Sequence, residues 1–389
     1  MTAQSSAQSS AQSSVQPWPE ADASVLAPVA EHDDLRKVMR DLLQSHASHE
    51  QVRRAAETPE GYSTELWSLL NDEMNVSSLA VPEDRGGLGF GLAVLAVVLE
   101  EAGRALLPEP LLASAVLGAR AVSAAPAGSV PDEIVSGVLE GRLVATVALE
   151  ANADGALTAS GDGATHTVTG SLARVLHGAA ADLLVVTAAT RAGESLYVVD
   201  LRSAEAVSRT ALETLDLTRP LARIDLDETP AHLVAGPEQL PAVLSELTTL
   251  AAVAMAAEHV GMIDAMLEML RTYAGQRHQF GRPLASFQVI KHRLADVLVD
   301  LERSRSAVRY AAAAFDQDPV SAALPAAVAG AICTDAVIRT ALETVQLHGG
   351  VGFTWEHPAH YFVRRALGDE AVFGSSRAQR ARIADLLGI

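Results

Sequence analysis

Arg277-His278-Gln279-Phe280-Gly281-Arg282-Pro283-Leu284, followed by Phe287-Gln288, is the stretch whose reading decides the fold. Gly281 and Pro283 punctuate it as a turn, and long helical patterns flank it. Leu244 to Tyr273 is apolar nearly all round, as a helix buried inside a bundle is. Ser286 to Phe315 places Phe287, Ile290, Leu294, Val297, Leu301 and Val308 at three- and four-residue spacing, which gives one apolar face on a helix of roughly 45 Å. A third helix runs to about Leu347, inside the block Gln346-Leu347-His348-Gly349-Gly350-Val351-Gly352, where Gly349 and Gly350 can supply a left-handed cap. A fourth covers His360 to Leu387. Four long antiparallel helices predict a bundle over residues 237–389.

Upstream the texture changes. Between Gly141 and Gly236 the runs Leu143–Leu149, His166–Thr169, Leu183–Ala188, Leu196–Val199 and Ala222–Leu226 are short and β-rich, separated by Gly, Asp and Thr clusters. They predict a small barrel or sandwich over residues 141–236. Residues 31–140 read as helices broken by turns. Trp67, Leu69 and Leu70 share one helix, Pro82-Glu83-Asp84-Arg85-Gly86-Gly87-Leu88-Gly89 is a loop, and Leu92 to Ala105 is a helix ended by Pro108 and Pro110. The fold class is α+β, mostly α: an N-terminal helical domain, a middle β domain and a C-terminal four-helix bundle. Residues 1–30 form a tail in which Ala-Gln-Ser-Ser repeats three times from Ala3 to Ser14. That polar low complexity predicts disorder.

Composition narrows the function. The chain has 389 residues, 49% of them apolar and 4% aromatic, enough for two or three packed, mainly helical modules. A net charge of −19 repels phosphate backbones and anionic lipid heads, so neither nucleic acid nor a membrane surface is an expected partner. The first Lys or Arg is Arg36, which argues against a signal or transit peptide. Apolar runs such as Leu250 to Ala257 fall short of the roughly 18–20 residues of a membrane span. The one cysteine, Cys333, makes no internal disulfide and reads as a small core residue. The expected location is the cytoplasm.

The two blocks, the Pro-Glu-x-x-Gly-Gly-Leu-Gly loop and the helix–β–helix order together resemble the acyl-CoA dehydrogenase family over nearly the whole chain after the tail. The resemblance implies the acyl-CoA dehydrogenase fold and FAD as cofactor. It also implies that Arg277, Gln279, Phe280, Gln288, Gln346, Gly349 and Gly350 hold flavin across a subunit interface, for a neighbour's pocket. The residue types suit that task. Arg277 can pair bidentately with a pyrophosphate, and Gly349, Gly350 and Gly352 let the backbone approach a dinucleotide closely. Gln288 and Gln346 offer amides to ribose or phosphate oxygens, and Phe280 can pack on a ring.

The flavin and substrate contacts a subunit makes for itself depart from the family pattern. Where family members carry a Trp that covers the flavin and a Thr that bonds its reactive edge, ungapped alignment puts Arg174 and Leu176. The loop before them is reduced to Ala148-Leu149-Glu150-Ala151-Asn152. The reaction removes a proton α to a thioester carbonyl, which needs a positioned carboxylate. The family's two base positions are here Ala251 and Phe373, and the family Asp that follows a conserved Arg is Arg365. Asp369 and Glu370 are the remaining acids nearby, one turn or more early. Glu356-His357-x-x-His360 is too sparse for a metal site. The resemblance therefore implies a base-lacking subunit like those of heteromeric actinobacterial steroid acyl-CoA dehydrogenases. Its partners would be a catalytic acyl-CoA dehydrogenase subunit (as α2β2), an acyl-CoA and an electron acceptor. Two alternatives stay open: a self-sufficient homotetramer using Asp369 or Glu370 as a displaced base, and a non-catalytic structural flavoprotein subunit.

Overall fold

The computed structural model describes residues 26–27, 29–148, 156–162, 165–202 and 205–389. The low-complexity stretch Ala3–Ser14 and most of the shortened loop after Ala148 lie outside the described residues.

The N-terminal part is helical: α1 (Ala30–His46), α2 (His49–Ala56), α3 (Thr64–Met74), α4 (Leu92–Ala105), α5 (Ala119–Ser123) and α6 (Asp132–Leu139). A π-helical segment, Leu111–Gly118, runs directly into α5 and is buried along its whole length. Trp67 and Leu70 of α3 are buried, and α4 has the predicted bounds. Gly91, at the N-cap of α4, has no side chain to cap it. The carboxylate of Asp316, more than 200 residues away, accepts from the backbone N–H of Leu92 at 2.6 Å and of Ala93 at 2.9 Å. A carboxylate there satisfies orphan donors and complements the helix dipole. Position 91 must be glycine, because an added Cβ would lie 2.7–2.9 Å from that carboxylate.

The middle part is one sheet of β1 (Ala145–Ala148), β2 (Thr158–Asp162), β3 (Thr165–Leu176), β4 (Leu183–Thr190), β5 (Gly193–Asp200), β6 (Val207–Ala211) and β7 (Leu221–Ala235). Pairing runs β4–β5–β7–β3–β2 and returns from β2 to β4, so the hydrogen bonding closes on itself as in a barrel. β1 lies parallel to β4, and β6 pairs with β7. The β3–β7 register slips between Leu172 and Val175, so Arg174 sits in a bulge, a device that re-aims a side chain. β2 and β6 were not predicted. Their sequences, Thr-Ala-Ser-Gly-Asp and Val-Ser-Arg-Thr-Ala, lack an apolar run.

The C-terminal part is the bundle of α7 (Leu240–Gln276), α8 (Gln288–Gln317), α9 (Ala323–His348), α10 (Ala359–Phe373) and α11 (Ser376–Leu387). A two-stranded hairpin, β8 (His278–Gln279) and β9 (Arg282–Pro283), joins α7 to α8. The single fourth helix expected from His360 to Leu387 is in fact two. Gly374 adopts φ +94, and Ser375 caps the new helix by accepting from the Ala378 N–H at 3.2 Å. The membrane-span expectation also needs correction. α7, and α9 with the turn after it, are long and apolar enough to cross a membrane by length and composition, although most of each apolar stretch is buried inside the fold. A helix surrounded by other helices reads as apolar on every face. α7 meets α4 at very short range: a Cβ on Gly261 would fall 1.7 Å from the Glu100 carbonyl oxygen, and one on Gly103 would fall 2.1 Å from that of Glu258. That crossing fixes α7 against the N-terminal helices and so positions the cavity it lines.

Candidate functional site

Two places gather the residues singled out in the sequence. The first is the exposed end of the bundle. The Arg277 N–H closes the last turn of α7 on the Tyr273 carbonyl at 2.8 Å, and the Leu284 N–H returns to the Arg277 carbonyl at 2.8 Å. Between them Phe280 (φ +53) and Gly281 (φ +77) form a two-residue hairpin turn with both φ positive. For a phenylalanine that conformation is strained, yet its ring is 91% exposed. It faces the Phe287 ring edge-on, at 6.2 Å between centroids, and the Arg282 guanidinium lies over the same Phe287 ring at 4.0 Å. Arg277, Gln279 and Gln288 are exposed too, and Arg277 has no ion-pair partner among the described residues. The Tyr273 hydroxyl donates to the His348 carbonyl at 3.3 Å and the two rings lie 4.4 Å apart, which ties the end of α7 to the end of α9. Gln346, Gly349 and Gly350 are therefore presented at this same end, also exposed. A Cβ on Gly349 or Gly350 would meet nothing within 4 Å, and Gly350 does not have a positive φ. This chain's own packing thus gives no reason for glycine at 350. A guanidinium, two amides, an unsatisfied ring and open backbone form a donor set that fits a diphosphate-linked dinucleotide approaching from outside.

The second place is a cavity of about 300 Å³. The π-helical segment, β1, β3, β7, α7, α9, α10 and α11 all contribute to its wall. Ala251 and Phe373, more than a hundred residues apart in sequence, both line it, as do Arg174 and Leu176. The fold thus gathers around one space the two base positions and the two flavin-facing positions named from the sequence. Neither base position holds a carboxylate, and Phe373 is the last residue before the break at Gly374.

The acids near the cavity are committed elsewhere. Arg219, 2% exposed, donates from Nε to Asp369 at 2.9 Å and from a terminal nitrogen to Glu258. Arg365, 1% exposed, donates from Nε to Asp216 at 3.1 Å and to the Thr218 hydroxyl at 2.9 Å. It also reaches Glu258 at 3.4 Å and the Leu107 carbonyl at 2.8 Å. Where the resemblance expected an aspartate, a buried arginine is compensated by buried carboxylates. Burial alone would raise the Asp369 carboxyl. Arg219, His259 and Arg365 outweigh burial and hold it well below the ordinary carboxylate range, so it is a poor proton acceptor. Glu370 is half-buried and is not among the described residues lining the cavity. Geometry thus gives no support to either acid as a displaced base. Two further buried groups lie near this network. Burial, helped by Arg219 and Arg365, pushes His177 down to about 3, and burial pushes Glu109 up to about 7.

Sequence reasoning missed Arg219, Glu258, His259 and Asp216. A signal existed for two of them: Glu258-His259 interrupts the apolar run from Leu250 to Ile263 in α7. Arg219 and Asp216 lie in the connection before β7 and carry no pattern. His357 and His360 pack on aromatic neighbours, His348 at 4.4 Å and Trp355 at 5.1 Å between ring centroids.

Residues 29–125 match the acyl-CoA dehydrogenase N-terminal domain and residues 242–388 match the acyl-CoA dehydrogenase C-terminal domain. The chain belongs to the acyl-CoA dehydrogenase family. Its architecture is the acyl-CoA dehydrogenase fold, it is an oxidoreductase of that kind, and FAD is the cofactor of this family of flavoproteins. It is 33% identical to the acyl-CoA dehydrogenase IpdE2 of Mycolicibacterium smegmatis over 353 residues, covering 91% of this chain and 97% of that one. Its structure is similar to the ChsE4-ChsE5 complex from Mycobacterium tuberculosis, with a TM-score of 0.84 and 30% identity over 93% of this chain and 98% of that one. It also resembles a Tcur3481-Tcur3483 steroid ACAD variant, with a TM-score of 0.81 and 29% identity over 92% and 98% of the two chains. Within the family, this chain is therefore similar to subunits found in two-component complexes.

Proposed function

We propose that this chain is the flavin-completing subunit of a heteromeric acyl-CoA dehydrogenase that acts on a bulky, steroid-type acyl thioester. The observation that carries the reading is the contrast between its two sites. The exposed bundle end keeps Arg277, Gln279, Phe280, Gln288, Gln346, Gly349 and Gly350, while the cavity has Ala251 and Phe373 where a base is needed. The likeness to a steroid ACAD and to the ChsE4-ChsE5 complex supports both the two-chain assembly and the substrate class.

When bound, FAD supplies the acceptor for the hydride that leaves the β carbon. In this reading Arg277 neutralises its pyrophosphate, the glycines after α9 let backbone reach it, and Phe280 covers a ring. The α proton goes to a carboxylate of the catalytic partner. The assembly is α2β2, an electron-transfer acceptor takes up the reducing equivalents, and the complex works in the cytoplasm. The test is flavin content and turnover of the chain co-expressed with its catalytic partner. Arg277→Ala removes a charge-assisted pair worth about 2–4 kcal/mol, or roughly 30- to 1000-fold in flavin affinity. The complex is expected to assemble but lose FAD and activity, whereas Arg174→Ala keeps both, and the chain alone shows no turnover. Full flavin in Arg277→Ala together with loss in Arg174→Ala refutes the assignment.

A further inference from the structure

Along α7 the cavity wall runs from outside to inside: Thr248 is exposed, Ala251 is 7% exposed and His259 is 1% exposed. Ala251 and Phe373 mark the outer part, where a self-sufficient subunit would hold the reacting carbons of a thioester beside its base. His259 lies eight residues further along α7, two turns or roughly 12 Å deeper. Asp369 lies one turn before Phe373 on α10, and the two deep groups meet, with His259 Nε2 3.4 Å from Asp369 Oδ2. That contact is long for a hydrogen bond. Neither ring nitrogen of His259, nor that carboxylate oxygen, has a hydrogen-bond partner among the described residues. The same cavity is lined by the apolar Leu117, Ala252, Met255 and Ala256 and, more sparsely, by the polar Thr146, Thr334 and Gln379.

Buried polar atoms without partners are costly, and in native structures they are nearly always satisfied by protein, water or ligand. Here the unsatisfied atoms belong to side chains that line a cavity. Arg219 holds the other oxygen of Asp369 and keeps the carboxylate ionised, so Asp369 only accepts. A neutral imidazole that turns Nε2–H toward the carboxylate keeps Nδ1 as an acceptor.

We propose that the His259–Asp369 pair is a recognition site for a hydroxyl group at the far end of an otherwise apolar acyl chain, with the hydroxyl donating to His259. The 12 Å offset from Ala251 keeps the imidazole away from the carbon α to the thioester. His259 thus selects the acyl chain that this cavity binds and is not a base. This inference rests on the acyl-thioester part of the proposed function: the cavity of this chain binds the thioester without turning it over, since the base is the partner's.

The experiment is calorimetric titration of the purified full chain with a matched pair of probes, decanoyl-CoA and 10-hydroxydecanoyl-CoA. The hydroxylated probe is expected to bind about 10- to 100-fold more tightly, as for a buried hydrogen bond made or left unmade. His259→Leu abolishes the preference, and His259→Gln, which keeps an acceptor, retains most of it. Equal affinity of the native chain for the two probes overturns the proposal, as does no binding of either. So does a preference that survives in His259→Leu. The first two outcomes need no variant, so misfolding of a mutant cannot protect the idea. The trans-donor reading fails on flavin retention, a separate readout.

Discussion

Arg277, at the end of the bundle, stands exposed without an ion-pair partner among the described residues, beside a phenylalanine ring that is 91% exposed. Arg219 and Arg365, in the interior, are almost fully buried and bonded to Asp369, Glu258 and Asp216. Both regions are built in part by α7. The interior spends its charges on itself, and such groups hold the three parts of the chain in register. The bundle end leaves its guanidinium, amides and open glycines unused. Groups that cost a chain strain or exposure and give it no packing point to a partner outside it. Counting motif residues would treat the two regions alike, whereas their partners tell them apart.

The comparison is most exposed to attack at Arg365. Arg365→Ala would leave Asp216 facing Thr218 alone and would strip the Leu107 carbonyl of its donor. Removing one partner of a buried charge cluster costs about 3–5 kcal/mol. Urea denaturation of the variant should show a loss of that size. A loss under about 1 kcal/mol would mean the interior charges are not mutually dependent.

Glu109 sharpens the picture because it is the interior carboxyl least well compensated. It accepts from the Ser63 N–H at 3.2 Å, and its second oxygen has no partner. Burial raises its carboxyl from 4.5 to about 7. Between those values the folded protein holds a proton that the unfolded chain has released. Its contribution to stability is therefore fully present below about 4.5 and is lost as pH rises through about 7, by up to about 3 kcal/mol. Asp369, whose carboxyl is depressed, has the opposite sign and loses stability only as pH falls below its ordinary 3.8. Glu109→Gln should flatten the decline between about pH 4.5 and 7 and stabilise the protein above about pH 7. An unchanged slope would show that Glu109 does not carry it.

The smallest effect is expected at Gly350. Its Cβ would enter open space, so Gly350→Ala should change the chain's own stability by less than about 0.5 kcal/mol. If the bundle end serves a cofactor, the same substitution lowers flavin content of the assembled complex. A clear drop in stability of the isolated chain would instead make Gly350 a structural glycine and weaken the contrast.

Much of this was readable in the chain itself. The apolar run of α7, the spacing along α8 and the glycine block after α9 each encode a local conformation, since helix periodicity and backbone freedom are properties of neighbouring residues. The resemblance was also legible, because its motifs lie within short windows. The break at Gly374 was legible in principle, as Gly-Ser-Ser is a poor helix interior and a good cap, but the apolar pattern on both sides masked it. Strands β2 and β6 were not legible, because strands without an apolar run are defined by their pairing partners, not by their own residues.

The sequence by itself determined the helix–β–helix order of the three parts, the family motifs and the absence of a carboxylate at Ala251 and Phe373. Only the tertiary structure decided that these two positions face one cavity, that Arg365 is compensated by Asp216 and Glu258, and that His259 meets Asp369 at its deep end. Each of those facts joins residues more than a hundred positions apart. Charge compensation and burial depend on distance in space, which no local pattern along a chain encodes.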